Sequence, residues 1–141
     1  MSKVTAMKLP RPVDQRPTIV CLCGSTRFWR AFQQASLRET LDGKIVLSIG
    51  AATSADGADK TFGGYRPAGQ FDAVKRQLDE LHKRKLDLCD EAFILNIDDY
   101  IGDSTKSEVK YAREIGKRIR WLVFPSVHAL PSELERGSAG A

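Results

Sequence analysis

The sequence holds no uninterrupted apolar run near the roughly 18–20 residues that a membrane-spanning helix needs. Its start, Met1 to Lys8, carries Lys3 and Lys8 but no apolar central stretch of a secretory leader. Both absences lead to the expectation of a cytoplasmic protein with no membrane partner. Charge of one sign is not in large excess: 22 basic residues against 18 acidic ones give +4. A dedicated nucleic-acid binder shows a concentrated basic stripe with stacking aromatics. Here the densest cluster is Lys83-Arg84-Lys85, which reads as the wet face of a helix, so no nucleic acid polymer is expected as a partner. Cysteine is scarce, three in all, and none stands in a C-x-x-C pair. Cys21 and Cys23 lie two apart in an apolar run, a spacing that in a strand points both thiols to one face as small core residues. A zinc site drawn from Cys21, Cys23, Cys89 and His82 lacks the usual paired knuckles, so no metal and no cofactor is assigned. Walker and Gly-x-Gly-x-x-Gly loops are missing too, which removes support from ATP and NAD readings.

What is present suits one domain. A length of 141 residues is a single core's worth, and 42% hydrophobic with 28% charged residues is ordinary for a globular chain. Residues 1–17 contain Pro10, Pro12 and Pro17 without apolar periodicity and read as an extended arm; 131–141, ending in Gly, Ser and Ala, reads as a flexible tail. Residues 18–130 are then one α/β domain. Apolar runs at 18–23, 44–49, 91–97 and 118–124 predict strands, and helical spacing predicts helices over 28–41, 71–89 and 104–116. In the helix over 71–89 the expected inner stripe is Val74, Leu78, Leu81 and Leu88, with Lys75, Arg76, Lys83 and Arg84 outside. Strands alternating with helices imply a doubly wound, flavodoxin- or Rossmann-like parallel sheet of at least four strands with helices on both faces.

Ligands bind such sheets beyond the carboxyl ends of the strands, which directs attention to residues 24–27, 51–70 and 98–107. Gly24 permits a sharp turn and close approach of a ligand, Ser25 or Thr26 can cap the following helix and favour an anion, and Arg27 is a forked donor for phosphate or carboxylate. The stretch over 51–70 is too long for a simple connector. Its Phe62, Tyr65 and Arg66 could stack on a base, and Asp56 or Asp59 could read the base edge. Thr105 and Glu108 stand at capping-box spacing, so Glu108 is either a cap carboxylate or an acid held at the cleft where it can attack or stabilise a cationic centre. Spacing leaves both readings open. Trp29 and Trp121 are assigned to packing or a subunit interface, and His128 to no role.

Cys23-Gly-Ser-Thr-Arg27 resembles the Cys-Gly-Ser-x-Arg turn of the 2-deoxynucleoside 5-phosphate N-hydrolases. Asp87-Leu-Cys-Asp-Glu-Ala-Phe-Ile-Leu-Asn96, then Gly102 to Glu108, then Tyr111-Ala-x-Glu-x-Gly-Lys117, is similar to the corresponding stretch of the nucleoside 2-deoxyribosyltransferase superfamily. The ordered set spans most of 18–124. The resemblance implies that Glu108 attacks the anomeric carbon as the base departs, that Gly102, Ser104 and Thr105 hold the sugar or its 5-phosphate together with the 24–27 turn, and that the 51–70 stretch helps choose the base. It implies an N-glycosidase acting on a nucleoside 5-monophosphate, with a deoxyribosyltransferase or a non-catalytic nucleotide sensor as alternatives, working as a homodimer or larger homo-oligomer. The chain departs from the family pattern at two positions. His82 falls where the family usually has Asp, and is either a proton donor, with Asp79 one turn earlier to orient it, or a packing residue beside Leu78 and Leu81; Cys21 stands where relatives commonly place a Tyr that contacts the catalytic Glu.

Overall fold

Ile19-Val-Cys-Leu-Cys23 is a run of β-branched and small apolar residues that can be buried on both faces, and it forms the strand β1 (Ile19–Cys23). The computed structural model describes residues 16–49 and 68–123. After a single 3-10 turn, Thr26–Phe28, come α1 (Trp29–Leu41) and β2 (Ile45–Leu47); α2 (Phe71–Leu88), β3 (Glu91–Ile94), α3 (Asp103–Glu114) and β4 (Arg118–Trp121) follow. The four strands pair in the order β2-β1-β3-β4, all parallel. This is the expected doubly wound α/β arrangement. No helix among the described residues is long and apolar enough to cross a membrane.

Alternation along the strands divides the core. Val20, Leu22, Phe93 and Leu95 face Phe32 and Ala35 of α1. Cys21, Cys23, Ala92, Ile94 and Ile119 face the other way, onto Leu86 of α2 and Val109 and Ala112 of α3. The chain reverses from β1 to α1 toward one face and to α2 and α3 on the other, so the strand order turns at β1 and β3, and a crevice opens beyond their carboxyl ends.

One expectation about packing is corrected. Leu78, Leu81 and Leu88 were expected to face inward, but they are 39%, 51% and 66% exposed. His82, Leu86 and Cys89 are buried instead. These three follow the same 3–4-residue spacing, so periodicity finds a helical stripe but not which stripe meets the sheet. Arg16, in the segment expected to be an arm, reaches the domain: its guanidinium grips the Asp90 carboxylate at 2.6 and 2.7 Å. Asp90 also accepts from the Ile19 backbone N–H at 2.8 Å, and these donors hold its carboxyl down to about 2. Residues 1–15, 124–130 and the 131–141 tail lie outside the described residues.

At the starting ends of the strands sits a polar cluster. Glu39 on α1 and Glu91 on β3 are both buried, and Lys44 reaches them at 2.9 and 3.5 Å. Arg120 bonds the Glu39 carboxylate and lies 3.1 Å from that of Glu91, with its guanidinium 3.9 Å above the Phe93 ring. Burial works against the Glu39 carboxylate, but hydrogen bonds from Lys44 and Arg120 outweigh it and leave the group below its ordinary range. Cutting one member from such a cluster leaves the remaining charges short of partners. Glu39→Ala is therefore expected to cost about 2 kcal/mol, discounted because Lys44 and Arg120 keep Glu91. It is read as a lower urea midpoint at unchanged slope; an unmoved midpoint would refute the assignment.

Candidate functional site

The crevice is shaped first by the end of β1. A Cβ on Gly24 would stand 3.2 Å from the Leu95 carbonyl oxygen and 3.4 Å from its Cβ, so only glycine lets the chain pass against the end of β3 without displacing it. Ser25 then caps the short turn, its hydroxyl accepting from the Arg27 backbone N–H at 3.3 Å. On the opposite wall α3 begins at Asp103 with Gly102 at the cap position and no side-chain cap bond. Thr105 is buried inside the first turn, so Thr105 and Glu108 do not form a capping box. Glu108 is free for another role. It lies in the second turn, 8% exposed, facing a cleft of about 440 Å³.

Nine of the residues expected from sequence line this cleft: Gly24, Ser25, Thr26, Asp79, His82, Gly102, Ser104, Thr105 and Glu108. Arg27 does not line it. Its guanidinium lies 4.2 Å from the centre of the Tyr100 ring, and it is Tyr100 that faces the cleft. Phe62, Tyr65 and Arg66, with Asp56 and Asp59, lie outside the described residues. Sequence reasoning placed both Lys75 and Lys85 on the wet face of α2, yet both line the cleft. Lys75 Nζ donates to Asp79 and to Ser104 Oγ, each at 2.9 Å, tying α2 to the start of α3. The i,i+4 spacing of Lys75 and Asp79 was the available signal. Ser104 Oγ donates to Asp79 at 3.4 Å, so the Asp79 carboxylate binds Lys75 and Ser104. The hydrogen bonds described for His82 run instead to sulfur: Nε2 lies 3.6 Å from Cys21 Sγ and 3.4 Å from Cys23 Sγ.

Electrostatics follow from this packing. Burial pushes the Glu108 carboxyl up to about 7, with the neighbouring Cys21 and Asp79 adding to the effect and His82 and Lys75 opposing it. Burial acts against an imidazolium at His82, but the Cys21 thiol and the Glu108 carboxylate outweigh it and raise the ring above its ordinary value. A hydrogen bond shared with Cys23 draws the Cys21 thiol below its ordinary value, while that bond and burial raise Cys23. An acid held up to about 7 and an imidazole raised above its ordinary value, facing one cleft, are suited to passing a proton to and from a bound molecule. Scans and searches against protein-family models, curated proteins and solved structures each found no match.

Holding Glu108 this way has a cost that can be measured. Its carboxyl binds a proton more tightly in the folded chain than in the unfolded one, so stability falls as pH rises from the ordinary carboxyl value to about 7. The full penalty stands above that range and amounts to about 3 kcal/mol at most. Glu108→Gln removes it. The variant is expected to be more stable than the parent at about pH 8, by roughly 1–3 kcal/mol, with the gain vanishing toward about pH 4. Equal differences at both pH values in urea titrations would show that Glu108 is not held as described.

Proposed function

We propose that the chain is an N-glycosidase that cleaves the base–sugar bond of a nucleoside 5-monophosphate, with Glu108 as nucleophile. The observation that carries this reading is the buried Glu108 carboxylate facing the strand-end cleft beside His82. Glu108 attacks the anomeric carbon while the carbon–nitrogen bond breaks and its electron pair leaves with the base. His82, as imidazolium, gives the departing nitrogen a proton. Water then attacks the same carbon, neutral His82 takes its proton, and the carbon–carboxylate bond breaks to free Glu108 and the sugar phosphate. Splitting the displacement lets one carboxylate offset positive charge at the sugar twice.

Support for the phosphate comes from the cleft wall. The Gly24 to Thr26 turn offers a backbone that a ligand can approach, Ser104 a hydroxyl, and Lys75 and Lys85 the cations. Arg27 stacks on Tyr100 one step behind that wall. Exposed Leu37, Leu41 and Ile45 on the α1 and β2 side suit the homodimer that the resemblance implies.

A screen of nucleoside 5-monophosphates for free base, run beside the Glu108→Ala protein, tests the reading. Base release is expected from the parent and a loss of roughly three orders of magnitude or more in the variant, with binding retained. His82→Gln is expected to cost roughly 100-fold in turnover. Release that requires an added acceptor base would make the chain a transferase. Binding without turnover, insensitive to Glu108, would make it a sensor and sink the proposal.

A further inference from the structure

We propose that Cys21 Sγ, Cys23 Sγ and His82 Nε2 form a three-ligand site for a borderline-soft divalent transition ion, Zn²⁺ being the type, in the core behind the cleft that His82 lines. The three atoms lie within 4.8 Å of one another, and each residue is buried. Zinc bound tetrahedrally at about 2.3 Å from sulfur and 2.0–2.1 Å from imidazole nitrogen sets nitrogen–sulfur edges of about 3.5 Å. The observed edges are 3.6 and 3.4 Å. Strand periodicity supplies the two thiols from one face of β1, and the turn of α2 that buries Leu86 carries His82 onto them. Two sulfurs and one imidazole are the donor set of Zn²⁺ rather than of Mg²⁺ or Ca²⁺.

Cys89 does not belong to the set. Its thiol donates to the Leu86 carbonyl at 3.1 Å at the end of α2, so the four-residue site considered from sequence contracts to three. Among the described residues the cluster comprises these three ligands, which leaves the fourth tetrahedral position to water or a further donor. Loading the ion releases the two thiol protons to solvent. It also ties up His82, which the glycosidase reading uses as an imidazolium proton donor, so a loaded chain is expected to release base more slowly. The metal site itself does not depend on that reading.

The test uses the full chain, reduced with a non-coordinating reductant, stripped with chelator and titrated with Co²⁺. One equivalent per chain is expected, with a thiolate-to-cobalt charge-transfer band that Zn²⁺ abolishes by displacement. Cys21→Ser and Cys23→Ser are each expected to weaken binding at least about tenfold and to diminish the band. Because a serine in the core can impair folding, His82→Gln provides a second variant at the cleft wall; it keeps both thiols and is expected to lose affinity to a similar degree. Cys89→Ala is expected to leave stoichiometry and spectrum unchanged. Absence of the band in the parent, its persistence at full affinity in the Cys21→Ser, Cys23→Ser or His82→Gln protein, or its loss in Cys89→Ala would overturn the site. Glu108→Ala separates the two proposals, since it should end base release while leaving the charge-transfer band.

Discussion

A carboxyl group excluded from water gives up hydration that few protein interiors replace, and its proton becomes hard to remove. That constraint governs the cleft of this chain. Glu108 sits in the second turn of α3, buried against β1 and α2, and the residues nearest to it are those that burial perturbs in return. His82 gains affinity for a proton because the acid and a thiol lie beside it, and the thiols of Cys21 and Cys23 divide their proton unequally. Burial sets the Glu108 shift, and the neighbouring groups then adjust one another. The cleft and the core behind it gather a small set of groups that set one another's hold on a proton.

The sheet explains why these groups meet. Parallel strands send every connection back across a face of the sheet, and strand order reverses at β1 and β3. Whatever lies at the carboxyl ends of those two strands must face whatever starts α3 and whatever α2 presents in passing. At the other end of the strands Glu39 and Glu91 are held by Lys44 and Arg120. The two charged groupings thus stand at opposite ends of the strands, the ion cluster at one and the cleft at the other.

Much of this frame could be read in the sequence because it depends on local patterns. Ile19 to Cys23 is an apolar β-branched run, and 71–88 is too long and too periodic to be other than a helix. The Gly24 turn and Glu108 were legible as candidates because parallel sheets place ligands beyond strand ends. What stayed hidden is the rotation of α2. Its leucines at 78 and 81 looked like core, whereas they line the cleft, and His82 is buried among residues of the core. Apolar residues at a ligand cleft and apolar residues in a core leave the same periodic trace. The meeting of His82 with two thiols some sixty positions away depends on that rotation together with strand register, and neither is encoded by any short segment. Similarly, the spacing of Thr105 and Glu108 suggested a capping box, but α3 begins at Asp103, which puts Thr105 within the helix instead of at its cap.

The most direct test of this account is the titration of the Glu108 carboxyl itself, followed by carbon-13 NMR on metal-free protein labelled at glutamate, with Glu108→Gln used to assign the resonance. A buried acid at the cleft is expected to titrate near the value of about 7 that its surroundings impose. A midpoint in the ordinary carboxylate range of roughly 4–4.5 would mean that water reaches Glu108 freely, contradicting the burial on which the proposed chemistry rests.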